Sequence, residues 1–263
     1  MNQKPEPNSR QADGQSVDVI EPWDLSRTDA LVETVFGREQ REIVHACLRS
    51  IVDRQKFAQY HYLETERLLK GFQQKYLNGR HLLEVVHGGD ERGSIAFERL
   101  MIKAGAHVTA CIQAMHAIPD ILASGVYLAL GLNRRQDALP DRRVNITSVT
   151  HRLKSEPGCA DLAVLLEEVS SGHEYEHVAA VSNLSKHRTV IRASLSQDET
   201  GTRERPHEFH IMSFDKPTDG GMKHYPSISL ADLVVDEFSR VGLLILKIGH
   251  KIDEVLEPVL IAD

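Results

Sequence analysis

AGAHVTACIQAMHAIPDILASGVYLALGL, Ala104 to Leu132, decides how the rest of the chain is read. The stretch is long and apolar enough to cross a bilayer. It also carries His107, Gln113, His116 and Asp120, with Pro119 in the middle, and polar groups at bilayer depth are costly. A helix in the core of a soluble protein satisfies both observations. Because it is apolar nearly all round, it is predicted to be the central helix, kinked at Pro119 where a backbone donor is lost.

On the N-terminal side, Ser94 is expected to cap this helix, with Phe97, Leu100, Met101 and Ala104 on one side. Gly-based breaks at Asn78 to Arg80 and His87 to Ser94 flank a short element, RHLLEVV. Before them, Ile43, Cys47, Ile51, Arg54 and Ala58 recur at three- and four-residue steps, which predicts a long helix over Glu39 to Phe72. Residues 1–24 lack a signal-peptide core and are rich in Pro, Asn, Gln and Ser, and they are read as a disordered tail.

On the C-terminal side, an arginine-rich connection, Asn133 to Arg143, leads to short helices over Asn145 to Leu153 and Ala160 to Val169 and a further helix from His173 to about Thr189. The period then changes to strand-like alternation in TVIRASLS and HEFHIMSF, joined by a polar loop as a hairpin over about 189–215. Ser229 caps the last helix, with Asp232 in its first turn. The expected fold is mainly α: one domain over 25–263, an antiparallel helical bundle with a small β-hairpin between its last two helices.

Composition bounds the chemistry. The 263 residues are 41% hydrophobic, ample for a large core, and the formal charge of -7 argues against a general grip on nucleic acid, so a polyanion would have to be held locally. Cys47, Cys111 and Cys159 are far apart and match no zinc spacing, which points to reduced thiols and a cytoplasmic setting. Phosphate-binding loops, dinucleotide fingerprints and nucleophile elbows are missing from the sequence, so no cofactor is expected. The pairs His173/His177 and His207/His210 could each be considered as metal ligands, but both are expected on solvated surfaces, and no metal is predicted.

Two groups of polar residues stand out. His116 and Asp120, four apart, share a helix face; they form either an imidazole made more basic by a carboxylate or an internal pair that satisfies two buried groups. In HVAAVSNLSKHR, His177 to Arg188, helical spacing aligns Glu176, Ala180, Asn183 and His187, with Lys186 and Arg188 on either side of His187. If that stripe faces His116 and Asp120, the set could hold a phosphate and move protons. Otherwise these cations only favour the helix C-terminus.

MHAIPDILASGVYLALGL followed by a later helix with NLSKHR resembles the HEPN superfamily, in a bacterial group of helical proteins within it, over roughly Ala96 to Ser196. The resemblance implies an antiparallel, often dimeric bundle, and either a metal-independent endoribonuclease of toxin or defence systems or a member that binds RNA or scaffolds without catalysis. Active members carry an arginine and, with four to six residues between them, a histidine on the same helix. No arginine stands at that spacing before His187, where Ala180, Val181 and Ser182 lie. Arg54 and His61 have the spacing on the first long helix, with Gln55 after the arginine. The residues carried over as an RNA-contacting or catalytic set are Asn183, Lys186, His187 and Arg188, with His187 as acid or base and His116 and Asp120 opposite. RNA and a second copy of the chain are the expected partners. The alternative is a non-catalytic binding or scaffold protein that dimerises through its long helices.

Overall fold

The computed structural model describes residues 21–261, so most of the N-terminal tail lies outside the described residues. Trp23 and Asp24, at the end of the stretch read as tail, belong to the packed domain: Asp24 caps α1 (Leu25–Phe36), and Trp23 donates to the Thr28 hydroxyl at 2.8 Å. The helices that follow are α2 (Arg38–Phe72), α3 (Leu82–His87), α4 (Glu91–Ala129), α5 (Ile146–Leu153), α6 (Ala160–Val169), α7 (His173–His187) and α8 (Leu230–Ile261). The described chain is 69% helical, a mainly α fold. α1 is an addition to the sequence reading; its buried stripe is only Thr28 and Val32, too little for a clear period.

α2 and α4 run antiparallel, with Gln40 donating to the Leu128 carbonyl at one end and His61 facing His107 at the other. Their close approach explains Gly125, where a β-carbon would lie 2.5 Å from a Leu48 methyl. α4 passes through Pro119 as one continuous helix. It begins earlier than the expected Ser94 cap: the Asp90 carboxylate accepts from the Gly93 amide at 3.0 Å, while the Ser94 hydroxyl donates to the Val86 carbonyl. Asp90 wins because α3 ends one turn upstream and leaves room for only a short connection. α4 ends at Ala129, and two residues on, Gly131, with a φ of +64°, turns the chain against the Phe36 ring. As expected for a core helix, sixteen α4 residues are buried, and among the described residues no helix is long and apolar enough to cross a membrane.

The expected hairpin is present as β1 (Ala193–Gln197) and β2 (His207–Ile211), paired antiparallel with Leu195 opposite Phe209. The short β5 (Ile228–Ser229) adds to β2. A second hairpin, β3 (Phe214–Thr218) and β4 (Gly221–Tyr225), was not anticipated. Its sequence, FDKPTDGGMKHY, is mostly exposed and carries no apolar alternation, so only its turn residues announce it.

Candidate functional site

His116 is half-buried on α4 and meets α7 through Tyr175, a residue outside the Glu176, Ala180, Asn183 and His187 stripe. Its ring stacks on Tyr175, with centroids 6.4 Å apart and planes within 8°. Burial holds the imidazole below its ordinary pKa; the Lys186 ammonium and, more weakly, Lys216 of β3 add to the depression, and Asp120 opposes it. The Lys186 charge thus reaches His116 across the α4–α7 contact. Tyr175 is their neighbour, its phenol pushed up to about 12 by burial and by the negative charges of Asp120 and Glu237.

Asp120 does not act as the partner of His116. It is exposed, and its Oδ1 accepts from the Ile146 amide at 2.9 Å, which holds the start of α5. The His116–Asp120 pair therefore forms neither an internal hydrogen bond nor an oriented dyad. The α7 stripe runs from core to surface: Ala180 is buried, Asn183 half-buried and His187 exposed as the last residue of the helix. Lys186, His187 and Arg188 are all exposed, and none makes an ion pair among the described residues.

HEYEH spells H-E-x-x-H, a metalloprotease spacing in which two histidines one turn apart share an ion. The structure corrects the expectation that it lies on a solvated surface. His177 is 1% exposed, wedged edge-on against Phe214 and Tyr225 at centroid distances of 5.5 and 5.4 Å, and neither ring nitrogen has a hydrogen-bond partner. His173 remains exposed. Among the described residues no cluster of three or more metal-ligating side chains forms. The cysteines are equally unsuited to nucleophilic work: burial raises all three, Cys111 to about 12.

The most pronounced feature is one that the sequence reading passed over. A groove of about 960 Å³ lies between the end of α2 and the start of α4, and it is lined by five cations, Arg67, Lys75, Arg92, Arg99 and Lys103, with no carboxylate in its lining. The spacing is helical: Arg92, Arg99 and Lys103 follow one stripe of α4, and Arg67, Gly71 and Lys75 follow a stripe of α2 and its terminal π-turn. Arg67 is engaged by Glu64, whereas Lys75, Arg92, Arg99 and Lys103 form no ion pair among the described residues. Phe72 and Tyr76 stack in the groove wall at 5.4 Å, with the Lys75 ammonium 5.2 Å from the Tyr76 ring centre. The stripes were visible in the sequence as periods. What hid them is that each alone reads as an ordinary solvated face, and only the antiparallel pairing of α2 with α4 makes them converge.

One turn beyond Lys103, just outside the groove lining, His61 and His107 face each other with Nδ1 atoms 2.9 Å apart. The Tyr60 ring lies edge-on to both. His61 is held below its ordinary pKa by burial and by its neighbour. Arg54 is separate from this pair, in a cleft beside Asp53 and Asp120.

No protein-family model, curated protein or solved structure matches the chain. What fold and site define together is a mainly α domain with a small antiparallel sheet and a cation-lined groove between its two longest antiparallel helices.

Proposed function

We propose that this protein is a HEPN-like helical domain that binds RNA, holding a single-stranded phosphate backbone in the α2–α4 groove. The observation that carries the reading is the convergence of five cations without a carboxylate in a molecule of net charge -7. A protein with that overall charge repels polyanions at long range, so binding depends on local neutralisation of phosphates. The half-buried Tyr76 ring beside Lys75, backed by Phe72, favours a single strand, whose bases can reach it, over a duplex, whose bases are already stacked.

The double substitution Arg92→Glu with Arg99→Glu tests it. Fluorescence anisotropy with a short single-stranded RNA should show affinity falling by at least about tenfold, with a wild-type salt slope of about -3 on a log–log plot, as expected for four or five neutralised phosphates. Both side chains are exposed, so melting should not move. Unchanged affinity would overturn the reading. A ribonuclease reading rests on a different observation, the proximity of Lys186 to His116 beside the exposed His187 and Arg188. The same RNA recovered after incubation separates the two: shortened products that disappear with His187→Ala would favour cleavage, with His187 moving the proton and Lys186 or Arg188 stabilising the phosphorane.

A further inference from the structure

The His61–His107 contact is chemically unusual. Two Nδ1 atoms at 2.9 Å can share only one proton between them, donated by one ring and accepted by the other. A first added proton can go to an outer Nε2 and leave that bond intact. A second would set two N–H groups and two like charges face to face, so the closed pair resists it. An anion placed between the rings removes the conflict, because each imidazolium can then donate to it.

The surroundings connect this pair to the groove. On α2, Glu64 lies one turn beyond His61; its carboxylate is bonded to Arg67 of the groove and is close enough to feel the His107 charge. On α4, Lys103 of the groove is one turn before His107. Tyr60 is the remaining titratable group against the rings. Lys103, which forms no ion pair among the described residues, draws an anion toward the pair. The Glu64 carboxylate, a negative charge near the pair, is already occupied by Arg67.

Building on the groove reading, we infer that His61 and His107 form a proton-operated phosphate subsite at the end of the groove, closed by their own hydrogen bond and opened when a phosphate group enters with uptake of protons. Phosphate binding and protonation then favour each other by linkage. At fixed ionic strength, RNA affinity should rise by up to about tenfold per pH unit for each proton taken up as the pH falls from 7.5 to 5.5. His61→Gln and His107→Gln, which cannot titrate, should each flatten that dependence. Arg92→Glu with Arg99→Glu should weaken binding at every pH and leave the ratio between pH values unchanged. A ratio that persists in both glutamine variants overturns the inference while leaving the groove intact.

A second readout does not need RNA. Inorganic phosphate added to the full chain should raise the titration midpoints of the His61 and His107 ring resonances, followed by proton NMR, relative to exposed His87. Absence of that rise overturns the subsite. If RNA fails to bind but the midpoints rise, the groove reading fails and the phosphate site stands. Circular dichroism confirms that the glutamine variants fold.

Discussion

Around Leu122, α4 packs with α1, α2, α5, α6 and the C-terminal part of α8 in one continuous apolar cluster. Around Leu100 the same helix belongs to a second cluster with the end of α2, α3, α7, the sheet and the start of α8, and there its outer flank opens into the cation-lined groove. One helix therefore serves as core along one half and as the wall of a binding surface along the other. The difference follows from what remains to cover it. Where five helices converge, α4 is apolar or small at most positions, and Asp120 is spared because it faces out and holds the start of α5. Where α2 alone flanks the outer face, Arg92, Arg99 and Lys103 stay in water, and their apolar neighbours Ala96 and Leu100 form the groove floor.

The same truncation in each half exposes this contrast most directly. Leu122→Ala leaves a cavity in a fully enclosed site and should cost about 3 kcal/mol or more of unfolding free energy. Leu100, 5% exposed and lining the groove, has neighbours free to relax inward, and Leu100→Ala should cost about 2 kcal/mol. Chemical denaturation of both variants checks the order. Equal costs would mean that the groove floor is as tightly enclosed as the core.

That enclosed half was the legible one. Apolar residues all round Ala104 to Leu132 announced a central helix, and the periods on either side located α2, α5, α6, α7 and α8 to within a few residues. The groove half was less legible, because its defining property lies between two helices rather than along either. The residues around His116 show the same limit. Four-residue spacing placed His116 and Asp120 on one face, but could not reveal that the Ile146 amide binds the carboxylate or that Tyr175 covers the imidazole. Nor could the polar β3–β4 sequence reveal that Phe214 and Tyr225 stack at 4.9 Å to receive His177.

His177 makes the groove half sensitive to acid. Burial is the larger cause of its depressed pKa, with His173 adding, and together they bring it down from 6.5 to about 4. The unfolded chain therefore binds more protons than the folded one between those values, and stability falls as the pH drops through that window. The contribution is complete above about pH 6.5, and by pH 4 the loss approaches about 3 kcal/mol. Hydrogen exchange should show β3–β4 opening before the cluster around Leu122. His177→Phe, which keeps a ring against Phe214 and Tyr225, should remove this acid step. Acid lability that survives the substitution would assign the weakness to another group.

The smallest expected effect lies where α4 meets α7, and it decides whether the residues singled out in the sequence form one electrostatic unit. Burial is the main cause of the lowered His116 pKa, so removing a single cation cannot restore the ordinary value. Lys186→Ala should raise the His116 midpoint part of the way, because one of the two positive charges depressing it is gone while Lys216 remains. Asp120→Asn should move it further down, because the negative charge that opposes the depression is lost. Opposite displacements of one ring resonance in the two variants would establish that the charges of Lys186 and Asp120 both reach His116. A His116 midpoint indifferent to Lys186 would separate the α7 cations from the central helix and confine the anion-binding surface to the α2–α4 groove.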